Sequence, residues 1–281
     1  MSADGWFPVT GIVMALAGAV LGWFVPALIG RIPEPEPEDE QPTEAGAVGE
    51  GRPNRLDEAE QSHSPEPRER EAAEEPDKAE EPEEPKELYT DIASRPGLAW
   101  KSALASAVSA GLVGLKIGWD PLLLAWVYLV PVGVALAVVD WRTRLLPTKV
   151  IAPSYLVVGA LTVLAGLVTG FTDSDWGPLV GAALGCVLAF AMFFVLWFVY
   201  PAGLGFGDVR LAGLLGIVLG YLGWSQLLVG LYSGFLLGGV VGLLLSLLRI
   251  VDRKGYPFGP FMLIGVLLGV YLGPAVAAWY A

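Results

Sequence analysis

Two aspartates stand where apolar chains seldom place them. Asp140 closes the apolar run 121–139, and Asp208 opens the run 209–222 after the glycine-rich stretch Gly203-Leu204-Gly205-Phe206-Gly207. A charged side chain at the centre of a bilayer costs about 2.5–3.5 kcal/mol on insertion scales, so residues of this kind usually have a task. Two carboxylates a few Å apart cannot both ionise easily and come to share a proton. Amide hydrolysis needs that pairing: the ionised group activates water and the neutral one protonates the carbonyl oxygen. Each aspartate alone also has a plainer reading. Asp208 fits a helix cap, and Asp140 fits an interfacial ion pair with Arg142 or Arg144. Gly205 and Gly207, on either side of Phe206, are expected to permit positive φ and the close approach of a substrate backbone.

The elements that must hold these residues are apolar helices. The chain has 281 residues, 54% of them hydrophobic, with 36 glycines and 10 tryptophans. Glycine is frequent in membrane helices and tryptophan at their interfaces. Spans of the length a ~30 Å hydrocarbon core requires are expected at Trp6–Gly30, Leu98–Gly118, Pro121–Val139, Val150–Gly170, Pro178–Tyr200, Val209–Leu222, Ser225–Leu248 and Pro260–Tyr280. The fold class is thus an all-α polytopic membrane bundle of about eight spans. Trp6–Gly30 lacks a basic n-region and is longer than the apolar core of a signal peptide, so it is expected to be retained. Val209–Leu222 is short and carries Gly213, Gly216 and Gly220. Small residues at that spacing allow close helix packing, and a short helix lets Asp208 sit deeper than a loop residue.

Between the first and second spans, residues 31–97 hold 22 acidic and 8 basic side chains, a net of −14 that leaves +2 for the rest of the chain. This proline- and glutamate-rich stretch has few large apolar residues and is expected to be a disordered, extended cytoplasmic linker. The domain division expected is a first helix over 1–30, this linker over 31–97, and a membrane body over 98–281. His63, the only histidine, falls in the linker, and Cys186, the only cysteine, falls in a span. A disulfide within the chain and a cysteine-based zinc site are both excluded. No metal or cofactor is expected, and no nucleic-acid partner.

Lys and Arg set the orientation. Arg142, Arg144, Lys149, Arg210, Arg249, Arg253 and Lys254 fall on one side, against Lys116 with Asp120, Asp173 and Asp175 on the other. The positive-inside bias makes the first side cytoplasmic. Asp140 and Asp208 then both lie at the cytoplasmic interface of a multi-pass inner-membrane protein.

Three motifs follow one another on this body. They are Asp140-Trp141-Arg142-Thr143-Arg144-Leu145-Leu146-Pro147, then Gly205-Phe206-Gly207-Asp208-Val209-Arg210-Leu211, then Pro257-Phe258-Gly259-Pro260-Phe261. In this order they resemble the prepilin peptidase family, membrane aspartic proteases also called type IV leader peptidases, over about residues 98–280. The resemblance implies that Asp140 and Asp208 are a catalytic dyad. It further implies that Gly205, Phe206, Gly207, Arg210, Pro257, Phe258 and Gly259 serve the substrate. That substrate would be a type IV prepilin or pseudopilin, with its basic leader removed at the cytoplasmic membrane face. Arg210 stands where the family usually has Lys, which keeps the charge and changes its shape. Many bacterial members also carry a domain with two Cys-x-x-Cys pairs after the first helix, and methylate the new pilin N-terminus with S-adenosylmethionine. Here the acidic linker takes that place without a cysteine, so methyl transfer is not expected. Two rival functions stay open, a transporter using intramembrane carboxylates and a non-catalytic assembly or scaffold protein built on the same fold; within the protease class, a preflagellin- or presenilin-like enzyme of the same Gly-x-Gly-Asp type is the near neighbour. The oligomeric state is not legible.

Overall fold

The structure is a computed structural model and describes residues 6–34, 87–201, 203–247 and 257–279. The expectations for the central linker, for His63 and for the basic segment Arg249–Lys254 lie outside the described residues. Among the described residues the secondary structure is helical throughout. The helices are α1 (Pro8–Trp23), α2 (Val25–Ile29), α3 (Tyr89–Ser94), α4 (Leu98–Ile117), α5 (Leu123–Thr143), α6 (Thr148–Thr172), α7 (Gly177–Val199), α8 (Phe206–Leu222), α9 (Trp224–Leu247) and α10 (Gly259–Trp279).

The chain is a multi-pass membrane protein. Within the described residues, α4, α5, α6, α7, α9 and α10 are long and apolar enough to cross a bilayer. The two remaining expected spans are shorter. The first apolar run breaks at Phe24 into α1 and α2. Pro26 accounts for the break, because it has no N–H to give the preceding turn and its ring crowds the carbonyl four residues back. α8 has 17 residues, and from Asp208 to Tyr221 all but Arg210 are buried. A helix enclosed by its neighbours does not have to match the bilayer thickness by itself.

Small residues pack the body into close helix pairs. A Cβ on Gly216 or Gly220 of α8 would lie 2.4 Å from the Gly185 carbonyl oxygen or 2.3 Å from that of Gly181, both on α7. Between α9 and α10, a Cβ on Gly265 would meet the Gly234 nitrogen at 2.4 Å. Between α1 and α4, one on Gly18 would meet the Ser106 carbonyl oxygen at 2.4 Å. In lipid the apolar tails give helices no hydrophobic reason to associate, so this backbone-to-backbone fit supplies the dispersion contact that holds them.

Part of the stretch 31–97 lies in the described residues. Its last part folds onto the body: Tyr89 and Ile92 of α3 are 4% and 0% exposed, and they pack with Ile29, Ala135 and Val139. The apolar residues Leu88, Tyr89 and Ile92 are what the acidic stretch before them lacks. Glu34 ties the two ends together. Its carboxylate accepts hydrogen bonds from the Tyr89 and Thr90 N–H groups, each at 3.0 Å, and from the Thr90 hydroxyl at 3.1 Å. An acidic group across the unpaired N–H groups of a helix start is a favourable cap.

Candidate active site

Asp140 lies in the last turn of α5. The helix stops just after it because Arg144 turns left-handed, at φ 55°, and returns its N–H to the Asp140 carbonyl at 2.8 Å. The Thr143 hydroxyl closes the same turn by donating to the Val139 carbonyl at 2.9 Å. The chain then crosses through Leu145–Pro147 into α6. Asp208 occupies the third position of α8. Its Oδ2 accepts the Gly205 N–H at 3.1 Å, which is the N3 half of a capping box; Gly205 has no side chain to complete it.

The three sequence motifs converge here. The first meets the third through the Gly259 N–H, which donates to Asp140 Oδ2 at 2.8 Å. Gly259 begins α10, so its N–H is one of the orphan donors of a helix start and suits an anionic acceptor. The first meets the second in two places. Leu146 packs on Gly207 so tightly that a Cβ there would lie 2.7 Å from the leucine Cβ. The Arg210 guanidinium donates to the Thr148 hydroxyl at the start of α6. These contacts gather the segments that carry Asp140 and Asp208 into one cluster.

Both carboxylates are buried, at 4% and 7% exposed. Among the described residues neither forms an ion pair, and Asp208 Oδ1 has no hydrogen-bond partner. Arg142 and Arg144 are both exposed and, among the described residues, neither pairs with Asp140, so the plainer expectation of an interfacial ion pair is not met. Nor do the glycines act as expected. Gly205 has φ −73°, and neither it nor Gly207 is among the positive-φ residues. What approaches Gly207 is the chain's own Leu146.

The other expected site residues divide by burial. Phe206 is half-buried between the Trp197 ring, 5.0 Å away, and the Arg210 guanidinium, 4.6 Å above its face. Phe258 is only 9% exposed and packs against Phe193 and Phe235. It anchors the segment that carries the Gly259 N–H. Pro257 is half-buried beside it. Sequence reading missed Tyr155. Its hydroxyl, in the middle of α6, donates to the Arg210 carbonyl at 2.6 Å and fixes the first turn of α8. A tyrosine within an otherwise apolar run was the available sign, since its hydroxyl must find a partner when buried. Beside Arg210 a cavity of about 530 Å³ runs between α6 and α7, lined by Ile151, Ala152, Tyr155, Cys186, Val187 and Phe190 among others. Among the described residues no three His, Cys, Asp or Glu side chains cluster as a metal site.

Comparison with known proteins agrees with the motifs. The chain is 35% identical over 191 residues to the prepilin leader peptidase/N-methyltransferase of Aeromonas salmonicida, covering 64% of this chain and 58% of that protein. The protein of the same name from Aeromonas hydrophila is 34% identical, with 59% and 54% covered. That from Bacillus subtilis is 25% identical, with 63% and 67% covered. The chain thus spans less than two thirds of the length of the Aeromonas relatives. No solved structure matches it. The segment holding Asp140, Asp208 and five of the helices around them, residues 127–247, matches the type IV leader peptidase family.

Proposed function

We propose that the chain is a membrane aspartic endopeptidase, with Asp140 and Asp208 as the catalytic pair. The observation that carries this reading is the pair itself: two buried carboxylates from distant parts of the chain, each held by one backbone N–H and neither neutralised by a described cation. In the proposed reaction the ionised carboxylate takes a proton from water as the water oxygen bonds to the scissile carbonyl carbon. The neutral carboxyl gives its proton to the carbonyl oxygen. Collapse of the tetrahedral species breaks the C–N bond: the proton gained from water passes to the leaving nitrogen, and a hydroxyl of the tetrahedral species returns a proton to the carboxylate that gave one, which restores the pair. No metal or cofactor takes part in these steps.

The proposed substrates are type IV prepilins or pseudopilins, cut between a basic leader and an apolar helix at the cytoplasmic face of the inner membrane. The apolar cavity between α6 and α7, which reaches Arg210 two residues past Asp208, suits a helix arriving through the lipid. Phe206 and Arg210 would meet the substrate near the cut, while Gly205, Gly207, Pro257, Phe258 and Gly259 position the machinery. In this reading the peptidase body is residues 98–281 with the first helix packed against it, and the linker is confined to the stretch after Glu34.

The test is co-expression with prepilins from the same genome. Asp140→Asn and Asp208→Asn should each lower cleavage by about 10³-fold or more while the protein stays in the membrane. Near wild-type cleavage by either variant removes the dyad. Mass spectrometry of the product, with S-adenosylmethionine present, should show an unmodified new N-terminus.

A further inference from the structure

We propose that the groove between α4, α5 and the start of α10 binds an anionic phospholipid of the surrounding membrane, with Lys101 and Arg142 holding the headgroup. A cavity of about 560 Å³ opens there. Its lining includes three cations, Arg95, Lys101 and Arg142, and no carboxylate. Arg95 is already engaged by Glu87, which takes its Nε at 3.0 Å and its Nη2 at 2.5 Å. Among the described residues neither Lys101, whose ammonium lies 5.8 Å from the Trp100 ring centroid, nor Arg142 forms an ion pair, so both are left to meet an anion. The wall beside them is hydrocarbon, formed by Ala105, Val134, Ala137 and Val138.

Cations at one end and an apolar wall along the rest match the two parts of a phospholipid. The level in the membrane also fits. Trp100 and Trp141, 54% and 56% exposed, flank the cations, and exposed tryptophans favour the headgroup region. The same cations argue against a basic peptide as the occupant, since they would repel it. A small soluble anion would leave the apolar wall unused. The site adjoins the carboxylate pair: Pro260, in the groove's lining, follows the Gly259 whose N–H holds Asp140, and Arg142 lies two residues past Asp140. A seated lipid would brace both segments that fix this carboxylate.

Native mass spectrometry of the full chain in detergent, with equal phosphatidylglycerol and phosphatidylcholine added, reads the binding without any substrate. The expected result is selective retention of phosphatidylglycerol. Loss of both cations in the Lys101→Gln/Arg142→Gln double variant should weaken retention by about 25-fold, or about fivefold per cation. The Arg144→Gln/Lys149→Gln double variant removes the same charge at exposed positions outside the groove and should retain the lipid. Ala137→Trp, which fills the hydrocarbon part, should weaken retention with the cations intact. Equal retention of the two lipids, equal loss in both double variants, full retention by Ala137→Trp, or displacement by soluble glycerol phosphate as effectively as by lipid would each overturn the proposal. Because the readout involves no cleavage, its failure leaves the peptidase reading standing, and the reverse holds.

Discussion

At Gly259 one missing methyl group decides where a carboxylate sits. A Cβ there would stand 2.9 Å from Asp140 Oδ2 and 3.4 Å from its Cγ, so any other residue pushes the carboxylate off its N–H donor. The backbone around Gly259 belongs to a helix and asks for no unusual φ, so alanine changes the contact without straining the chain. Gly259→Ala is therefore expected to leave the protein folded and able to bind substrate, and to lower kcat by about 10²-fold, the scale of an ångström misplacement in a catalytic group. Cleavage kinetics on a purified prepilin, with kcat and KM separated, check it; a change confined to KM would place Gly259 in substrate binding instead. The two aspartates themselves were legible in the sequence because a carboxylate at the end of an apolar run is conspicuous. The Gly259 donor was not, because the bond joins residues 119 positions apart and exists only once α5 and α10 are packed. The expectation of positive φ at Gly205 and Gly207 failed for a related reason. Glycine serves equally for backbone freedom and for close approach, and only the position of Leu146 tells which.

Helices α7 and α8 illustrate what composition can and cannot say about an element. Gly213, Gly216 and Gly220 announced a close contact, but not its partner. Gly216 and Gly220 face Gly185 and Gly181, whereas Gly213 faces the Tyr155 hydroxyl, 2.3 Å from where its Cβ would lie. Gly216→Ala puts its Cβ 2.4 Å from the Gly185 carbonyl oxygen and 2.7 Å from the Ala189 Cβ. Separating two helix backbones should cost about 1–3 kcal/mol, the usual scale for overpacking. Gly159 and Gly239 provide the control, because nothing lies within 4 Å of a Cβ at either. Alanine there should be neutral or stabilising by up to about 1 kcal/mol, following helix propensity alone. Thermal unfolding in detergent compares the three variants, and equal behaviour would mean that the α7–α8 contact is not tight. The length of α1 was misjudged because hydropathy continues through Phe24 and Pro26 while the hydrogen-bond ladder does not. Beyond α2, Glu34 gives α3 a titratable cap. Burial works against its charge, yet the Tyr89 and Thr90 donors outweigh it and hold the carboxyl below its ordinary 4.5. A lowered value means that the cap stabilises the α3 start above that ordinary value and is lost as pH falls through the lowered one. Amide exchange of Tyr89 and Thr90 should therefore accelerate below about pH 4.5, corrected for intrinsic rates, and Glu34→Gln should flatten the dependence.

Taken whole, the chain is a helical body whose sequence is interrupted once by an acidic stretch. The boundaries of that interruption were only partly readable, since charge and proline content fade gradually while packing starts at definite residues. Packing starts at Tyr89, buried at 4% exposed, and the described segment after α2 runs to Glu34, which reaches the α3 start directly. These two points bear on whether the stretch matters for catalysis. Since Glu34 and Tyr89 are already joined by hydrogen bonds, the body's two parts need no long connector to meet. Joining them by a short flexible loop would raise the effective concentration of α1 near α4 rather than pull them apart. Deleting residues 36–84 and inserting about six Gly and Ser residues should therefore leave a body that enters the membrane, unfolds at a temperature at least equal to that of the full chain, and still cleaves prepilin. Its charge could act only over the ~8 Å screening length of physiological salt. Any slowing should then appear as a higher KM for the basic leader at low ionic strength and vanish as salt is raised. A deletion variant that is stable in detergent yet inactive at every salt concentration would show that the acidic stretch contributes to the peptidase itself.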